Sequence, residues 1–167
     1  MSDLLSYSPE DVTLILAGVM QVEGYVDGTF ISIAKDIAPF SSTTTADGVI
    51  ARRYINSQSY TLTLTLHSAS PYNDVLTKLW QIDEITQRGK FPVIMKDQLG
   101  SSLFVSTTSW IEALPVMGFA NSITDRTWTI KCAQGVINIG GNDGESGLLT
   151  DLMNTVASAA PLISELL

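Results

Sequence analysis

Residues 60–67 read Tyr60-Thr61-Leu62-Thr63-Leu64-Thr65-Leu66-His67. Large apolar side chains alternate here with threonines and a histidine, and successive side chains of a strand point to opposite faces, so this is a strand with one dry face and one hydroxyl-rich face. Working outward, less regular alternation predicts strands over 11–17, 19–26, 29–35, 91–97, 103–108 and 126–133, the last placing Trp128, Ile130 and Cys132 on one face. Asp27-Gly28, between the second and third of these runs, is a two-residue hairpin signal, because glycine supplies the positive φ of a type I′ turn. A further turn is expected around Gln98-Leu99-Gly100.

One internal helix is predicted. Ser70 reads as its N-cap, Pro71 as its first residue and Gly89 as the left-handed residue past its end. Val75, Leu76, Leu79, Ile82 and Ile85 form its apolar stripe. The expected fold is mainly β, a β-sandwich or partly closed β-barrel with one flanking α-helix, a long inter-strand loop and a C-terminal arm.

The loop spans residues 37–57. Connections of that length are uncommon unless they bind something or are disordered, and Phe40, Val49, Ile50, Arg52, Arg53 and Tyr54 favour a binding partner. The domain is expected over 1–139, followed by a Gly-rich linker over 140–147. In the arm, 148–167, Leu148, Leu149, Leu152, Met153 and Val156 follow helical spacing before Pro161. Such an arm needs somewhere to dock.

The 167 residues suit one domain. Hydrophobic residues make up 45% and charged residues only 16%, below the roughly 25% of ordinary domains, so some apolar surface is expected to face another protein. The net charge is −8. All nine Lys and Arg residues lie between Lys35 and Lys131, leaving both ends purely acidic. Tight nucleic-acid binding draws on Lys and Arg displacing counterions from phosphate, which argues against a DNA or RNA clamp. The N-terminus lacks the basic and apolar regions of a signal peptide. The longest apolar run, Leu14 to Met20, is far shorter than the roughly 20 residues of a membrane span, so no membrane anchor is expected.

Catalytic chemistry finds little support. His67 is the sole histidine, and a hydrolase would have to use it. Cys132 sits on an apolar strand face, where a thiol is inert, and it has no cysteine to pair with. One His and one Cys cannot make a structural zinc site, and Asn142-Asp143-Gly144-Glu145 lacks the ligand spacing of a calcium loop. Asp83-Glu84 diverge on a helix, and no nucleotide-binding glycine motif occurs. No cofactor, no metal and no enzymatic activity are expected.

The order of several motifs resembles the tail tube proteins of contractile-tailed (myovirus-type) bacteriophages. The pattern runs through Tyr7-Ser8-Pro9-Glu10-Asp11-Val12, Gly24-Tyr25-Val26-Asp27-Gly28-Thr29-Phe30-Ile31 and the Thr-Leu strand. It continues through Ser70-Pro71-Tyr72-Asn73-Asp74, Gly89-Lys90-Phe91-Pro92 with Lys96-Asp97, Trp110-Ile111 and Arg126-Thr127-Trp128. It covers roughly residues 7 to 135, and the arm falls outside it.

The resemblance implies a virion structural protein, made in the host bacterial cytoplasm, whose hexameric rings stack into a tube that conducts double-stranded DNA during ejection. It implies contacts with further copies of itself, the tail sheath protein, and the tail terminator and baseplate proteins. The 37–57 loop would reach the adjacent ring, and Thr61, Thr63 and Thr65 would face the lumen, where uncharged hydroxyls let DNA pass without tight binding. Two alternatives remain open: the inner tube protein of a phage-derived injection device (a tailocin or a type VI secretion apparatus), and a monomeric β-barrel binding a small ligand.

Overall fold

The computed structural model describes residues 8–23 and 25–141. The arm residues Leu148, Leu149, Leu152, Met153 and Val156, and the linker from residue 142, lie outside the described residues.

Among the described residues, nine strands and one helix follow in order. After a 3-10 turn at Pro9–Asp11 come β1 (Val12–Leu16), β2 (Met20–Gln21), β3 (Ile31–Lys35), β4 (Phe40–Thr44), β5 (Ile50–Tyr54) and β6 (Tyr60–His67). Helix α1 (Tyr72–Thr86) leads to β7 (Phe91–Asp97), β8 (Leu103–Ala113) and β9 (Asp125–Asn138). Seven strands make one antiparallel sheet in the order β2-β1-β7-β8-β9-β6-β3, and β4 pairs with β5 in a separate two-stranded sheet. The fold is mainly β with one helix and resembles a sandwich more than a barrel. The large sheet does not close, since β2 and β3 are its two edges.

The alternation at 60–67 is realised in full. Tyr60, Leu62, Leu64 and Leu66 are buried, and Thr61, Thr63, Thr65 and His67 are half-buried on the opposite face. With Leu14, Leu16, Val93, Phe104, Ile111, Trp128, Ile130 and Cys132, this dry face forms one core onto which α1 lays Leu76, Leu79, Trp80 and Tyr72. The helix start is fixed by a buried polar network. Trp128 Nε1 donates to Asn73 Oδ1 at 2.9 Å, and Asn73 Nδ2 donates to the carbonyls of His67 and Ser70 at 2.9 and 3.0 Å. A buried indole N–H left without a partner would cost about 1–3 kcal/mol, so this bridge secures both the Trp128 ring and the first helical turn.

Several sequence expectations are corrected. The N-cap is Pro71 without a side-chain cap, and the Ser70 hydroxyl donates to the Glu23 carbonyl instead, at 3.3 Å. The left-handed residue at the helix end is Gln87, whose N–H reaches the Asp83 carbonyl. The strand expected over 19–26 shrinks to Met20–Gln21 and an isolated bridge from Tyr25 to Leu66. Gly28 does have a positive φ, but no hairpin forms there because β3 pairs with β6. Strand β8 runs on to Ala113, because bulges between Ser106 and Ala113 shift the phase of its alternation. Phe104 and Ser106 face the core before these irregularities, Ser109 and Ile111 after them. On β9, Gly135 lets the sheet approach two core rings, since a Cβ there would lie 2.7 Å from both Phe104 and Tyr60.

Candidate functional site

The stretch expected as a loop is a built hairpin. Residues Phe40–Thr44 and Ile50–Tyr54 pair with Phe40 opposite Tyr54 and Thr44 opposite Ile50, and every residue of both strands is exposed. Thr45 closes the tip: its N–H donates to the Val49 carbonyl at 2.8 Å, and its hydroxyl accepts from the Val49 N–H at 3.2 Å. Gly48 takes the left-handed conformation that the turn requires. At the root, the Ile55 N–H donates to the Pro39 carbonyl at 2.8 Å.

The register sorts the sequence-predicted residues. Phe40, Ile50, Arg52 and Tyr54 share one face of the hairpin, Val49 sits at its tip and Arg53 points from the opposite face. On the shared face the Arg52 guanidinium stacks over the Phe40 ring at 3.7 Å, and the Phe40 and Tyr54 rings lie 5.4 Å apart. A two-stranded hairpin is marginal by itself in water. This one carries an aromatic, aliphatic and guanidinium surface with no covering layer among the described residues, the composition favoured at the energetic centres of protein interfaces.

Thr61, Thr63 and Thr65 share the sheet face opposite the core. Register places Ser32 and Ala34 of β3 and Thr127 and Thr129 of β9 beside them, and the Thr65 and Thr127 hydroxyls lie 3.3 Å apart. Lys131 is the single Lys or Arg on this face of β3, β6 and β9, and it is paired. Its ammonium lies 2.5 Å from the Asp36 carboxylate, which also accepts from the Thr61 hydroxyl. Burial works to raise the Asp36 carboxyl, but hydrogen bonds from Lys131, Thr61 and Ser59 and the Lys131 charge outweigh it and hold it at about 2. The Asp36 hydrogen bond in turn raises Lys131 above its ordinary value. This cluster ties the outgoing end of β3 to β6 and β9 where the chain departs for the hairpin.

Composition-level reading of the sequence missed that ion pair, since Asp36 and Lys131 are remote in the chain. It also passed over the β8–β9 connection, where Val116, Met117, Phe119 and Ile123 are 88%, 76%, 83% and 67% exposed. The uncharged run Leu114-Pro115-Val116-Met117-Gly118-Phe119 was a signal for it.

The residues weighed for chemistry are dispersed. His67 Nδ1 lies 3.7 Å from Asp125 at the end of the threonine face, both side chains about half exposed. Cys132 is fully buried, and burial raises its thiol above the ordinary value. Among the described residues no group of His, Cys, Asp and Glu could hold a metal ion, and no helix is long and apolar enough to cross a membrane. A cavity of about 450 Å³ is an open cleft beside Pro9, Glu23, Tyr25 and Phe30 rather than a chamber inside the sheet. Burial pushes the Tyr25 phenol there up to about 12.

No family model matches the chain. It is 27% identical over 158 residues to "Structural protein ORF10" of Pseudomonas phage KPP10, an alignment covering 90% of this chain and 91% of that one. Its fold is shared with the tube-terminating cap of the anti-feeding prophage, at a TM-score of 0.57 and 13% identity over 83% of this chain and 94% of that chain. A chain of the virion of a native gene transfer agent particle matches with a TM-score of 0.50 and 14% identity, over 80% of this chain and 100% of that one. A chain of the sheath–tube complex of an extracellular contractile injection system matches at 0.50 and 13%, over 80% and 91%. The sequence relative is a structural protein of a phage, not an enzyme, and the fold is that of components of virions and contractile injection particles.

Proposed function

We propose that this protein is the structural subunit of the inner tail tube of a contractile phage tail. Copies close into hexameric rings, the rings stack, and the lumen conducts DNA during ejection. The observation that carries the reading is the β4–β5 hairpin: a preformed arm with an exposed apolar and cationic face, projecting from a domain whose own core is complete without it. In the tube it reaches the adjacent ring through Phe40, Val49, Ile50, Arg52, Arg53 and Tyr54. The threonine face lines the bore, where the Asp36–Lys131 pair leaves no free ammonium to hold phosphate. Sheath, terminator and baseplate proteins are the expected further partners. An injection device with the same tube and another cargo is distinguished by the genes that accompany this one, since capsid and terminase genes mark a phage.

A second reading, a tube-terminating cap, is favoured by the fold shared with the anti-feeding prophage cap. The two differ in polymerisation. Negative-stain microscopy of the purified protein is expected to show long hollow tubes, and Ile50→Asp with Tyr54→Asp is expected to leave folded subunits or single rings. Wild-type protein that stops at single rings supports the cap. A stable monomer removes both readings, and undiminished tubes in the double variant remove the hairpin from the ring junction.

A further inference from the structure

The hairpin and the open cleft sit at opposite ends of β3. The strand is entered from Phe30, which lines the cleft, and left through Asp36, from which the chain runs into the hairpin. A strand rises roughly 3.3 Å per residue, so the two features stand about 20 Å apart. Every residue of β4 and β5 is exposed, so the hairpin does not lie back on its own domain. The chemistry of the two features is opposite. Val22, Tyr25 and Phe30 give the cleft apolar walls, with the Tyr25 and Phe30 rings 4.6 Å apart, and Glu10, Glu23 and Asp27 line it as exposed carboxylates. Among the described residues no Lys or Arg lines it. The hairpin carries Arg52 and Arg53 against one acid, Asp47, with the Arg52 guanidinium stacked on Phe40 and Tyr54 beside that ring.

We propose that the Phe40, Arg52 and Tyr54 face of one copy's hairpin seats in this cleft of the next copy, with the Arg52 guanidinium paired to Glu23, Asp27 and Glu10 close by, and the aromatic rings on the apolar walls. The proposal rests on the tube reading and adds to it the surface that receives the hairpin. Copies of a chain with net charge −8 repel one another, so a contact between them is favoured where the scarce cations of one copy meet the acids of another. Two different patches at opposite ends of one strand make a heterologous, head-to-tail contact, which repeats along a stack instead of closing a pair. The cleft volume falls within the roughly 300–1,000 Å³ of binding clefts, which suits a few side chains of a hairpin rather than a domain face. Arginine and aromatic side chains enclosed in a pocket are the groups that dominate interface energies.

The test is a charge exchange in the full-length protein. Arg52→Glu and Glu23→Arg, both at exposed positions, are each expected to raise the concentration needed for tube formation at least about tenfold, read by sedimentation and negative-stain microscopy, and the two in one chain to return it to within about threefold of wild type. Independently, Tyr54→Cys with Asp27→Cys is expected, on mild oxidation of assembled tubes, to give a ladder of disulfide-linked chains on non-reducing gels, while Tyr54→Cys with Ile85→Cys, at an exposed position on α1, gives none. The native Cys132 is fully buried and stays out of the exchange. Wild-type tubes with no recovery in the double charge variant, with no ladder, or with an equal ladder from Ile85→Cys overturn the cleft assignment and leave the tube reading standing. Wild-type protein that forms no tubes overturns the two together.

Discussion

Asp36 illustrates how one side chain links stability to the character of a surface. Its carboxyl is held at about 2 against an ordinary 3.8, a depressed value, so its contribution is fully present above about pH 4 and is lost as the pH falls toward 2. In Asp36→Asn that loss is absent: the difference in urea midpoint between wild type and variant is expected to be clear at pH 6 and to vanish near pH 2. A difference that persists at pH 2 contradicts the ion-pair account. Asn73 has a different part, supplying both ends of the bridge between Trp128 and the helix start. Asn73→Ala orphans a buried indole N–H, while the His67 and Ser70 carbonyls keep the backbone N–H groups of Ser70 and residue 73 as donors, and is expected to cost about 1–3 kcal/mol in urea unfolding. An effect within about 0.5 kcal/mol, the range of ordinary surface substitutions, would show that water repairs the bridge.

At the scale of elements, the hairpin and the sheet differ in what holds them. Strands β6, β8 and β9 lie at the centre of the sheet against a continuous core, whereas β4 and β5 bury no residue. Amide exchange in the free subunit is therefore expected to be slowest at Leu62–Leu66 and Ile130–Cys132 and fast at Ser41–Thr44 and Ala51–Arg53. On assembly the hairpin amides should slow by at least tenfold; equal rates in free and assembled protein contradict an inter-ring role. The same contrast explains what the sequence showed. Strand β6 was legible because burial of one face writes period two into its residues. Neither face of β4 or β5 is buried, so no period appears, and a hairpin reads as a long loop. Asp47-Gly48 marked its turn by the same rule that misplaced one at Asp27-Gly28. The rule describes a backbone conformation, which Gly28 also adopts, but pairing depends on which strands lie alongside.

For the whole molecule, low charge and an acidic balance become arrangement rather than composition. On the threonine face the one ammonium is neutralised, and exposed apolar residues are placed on the hairpin and the 114–124 connection, while Ile15, Ile94, Val105 and Val136 align across four strands of the sheet. If that face lines a DNA conduit, an added free cation there should retard the duplex. Thr63→Lys is expected to raise retention of double-stranded DNA by assembled protein at low salt and to lose the effect as salt rises, measured by co-sedimentation. Unchanged retention would place the threonines away from the bore.

What the amino-acid sequence determined by itself was the dry face of β6, the existence of one helix after Ser70, the expectation of sticky exposed residues between 37 and 57, and the poverty of catalytic groups. Each follows from local chemistry: side-chain alternation, turn and cap residues, and the inventory of functional groups. Only the tertiary structure decided that β3 pairs with β6, that bulges carry β8 on past Thr108, and that four of the six hairpin residues share a face. It also brought Asp36 to Lys131 across 95 positions of sequence and aligned Ile15, Ile94, Val105 and Val136 into one row. Those are consequences of strand order and register, which depend on every strand finding its neighbour at once and so leave no mark on any single stretch of chain.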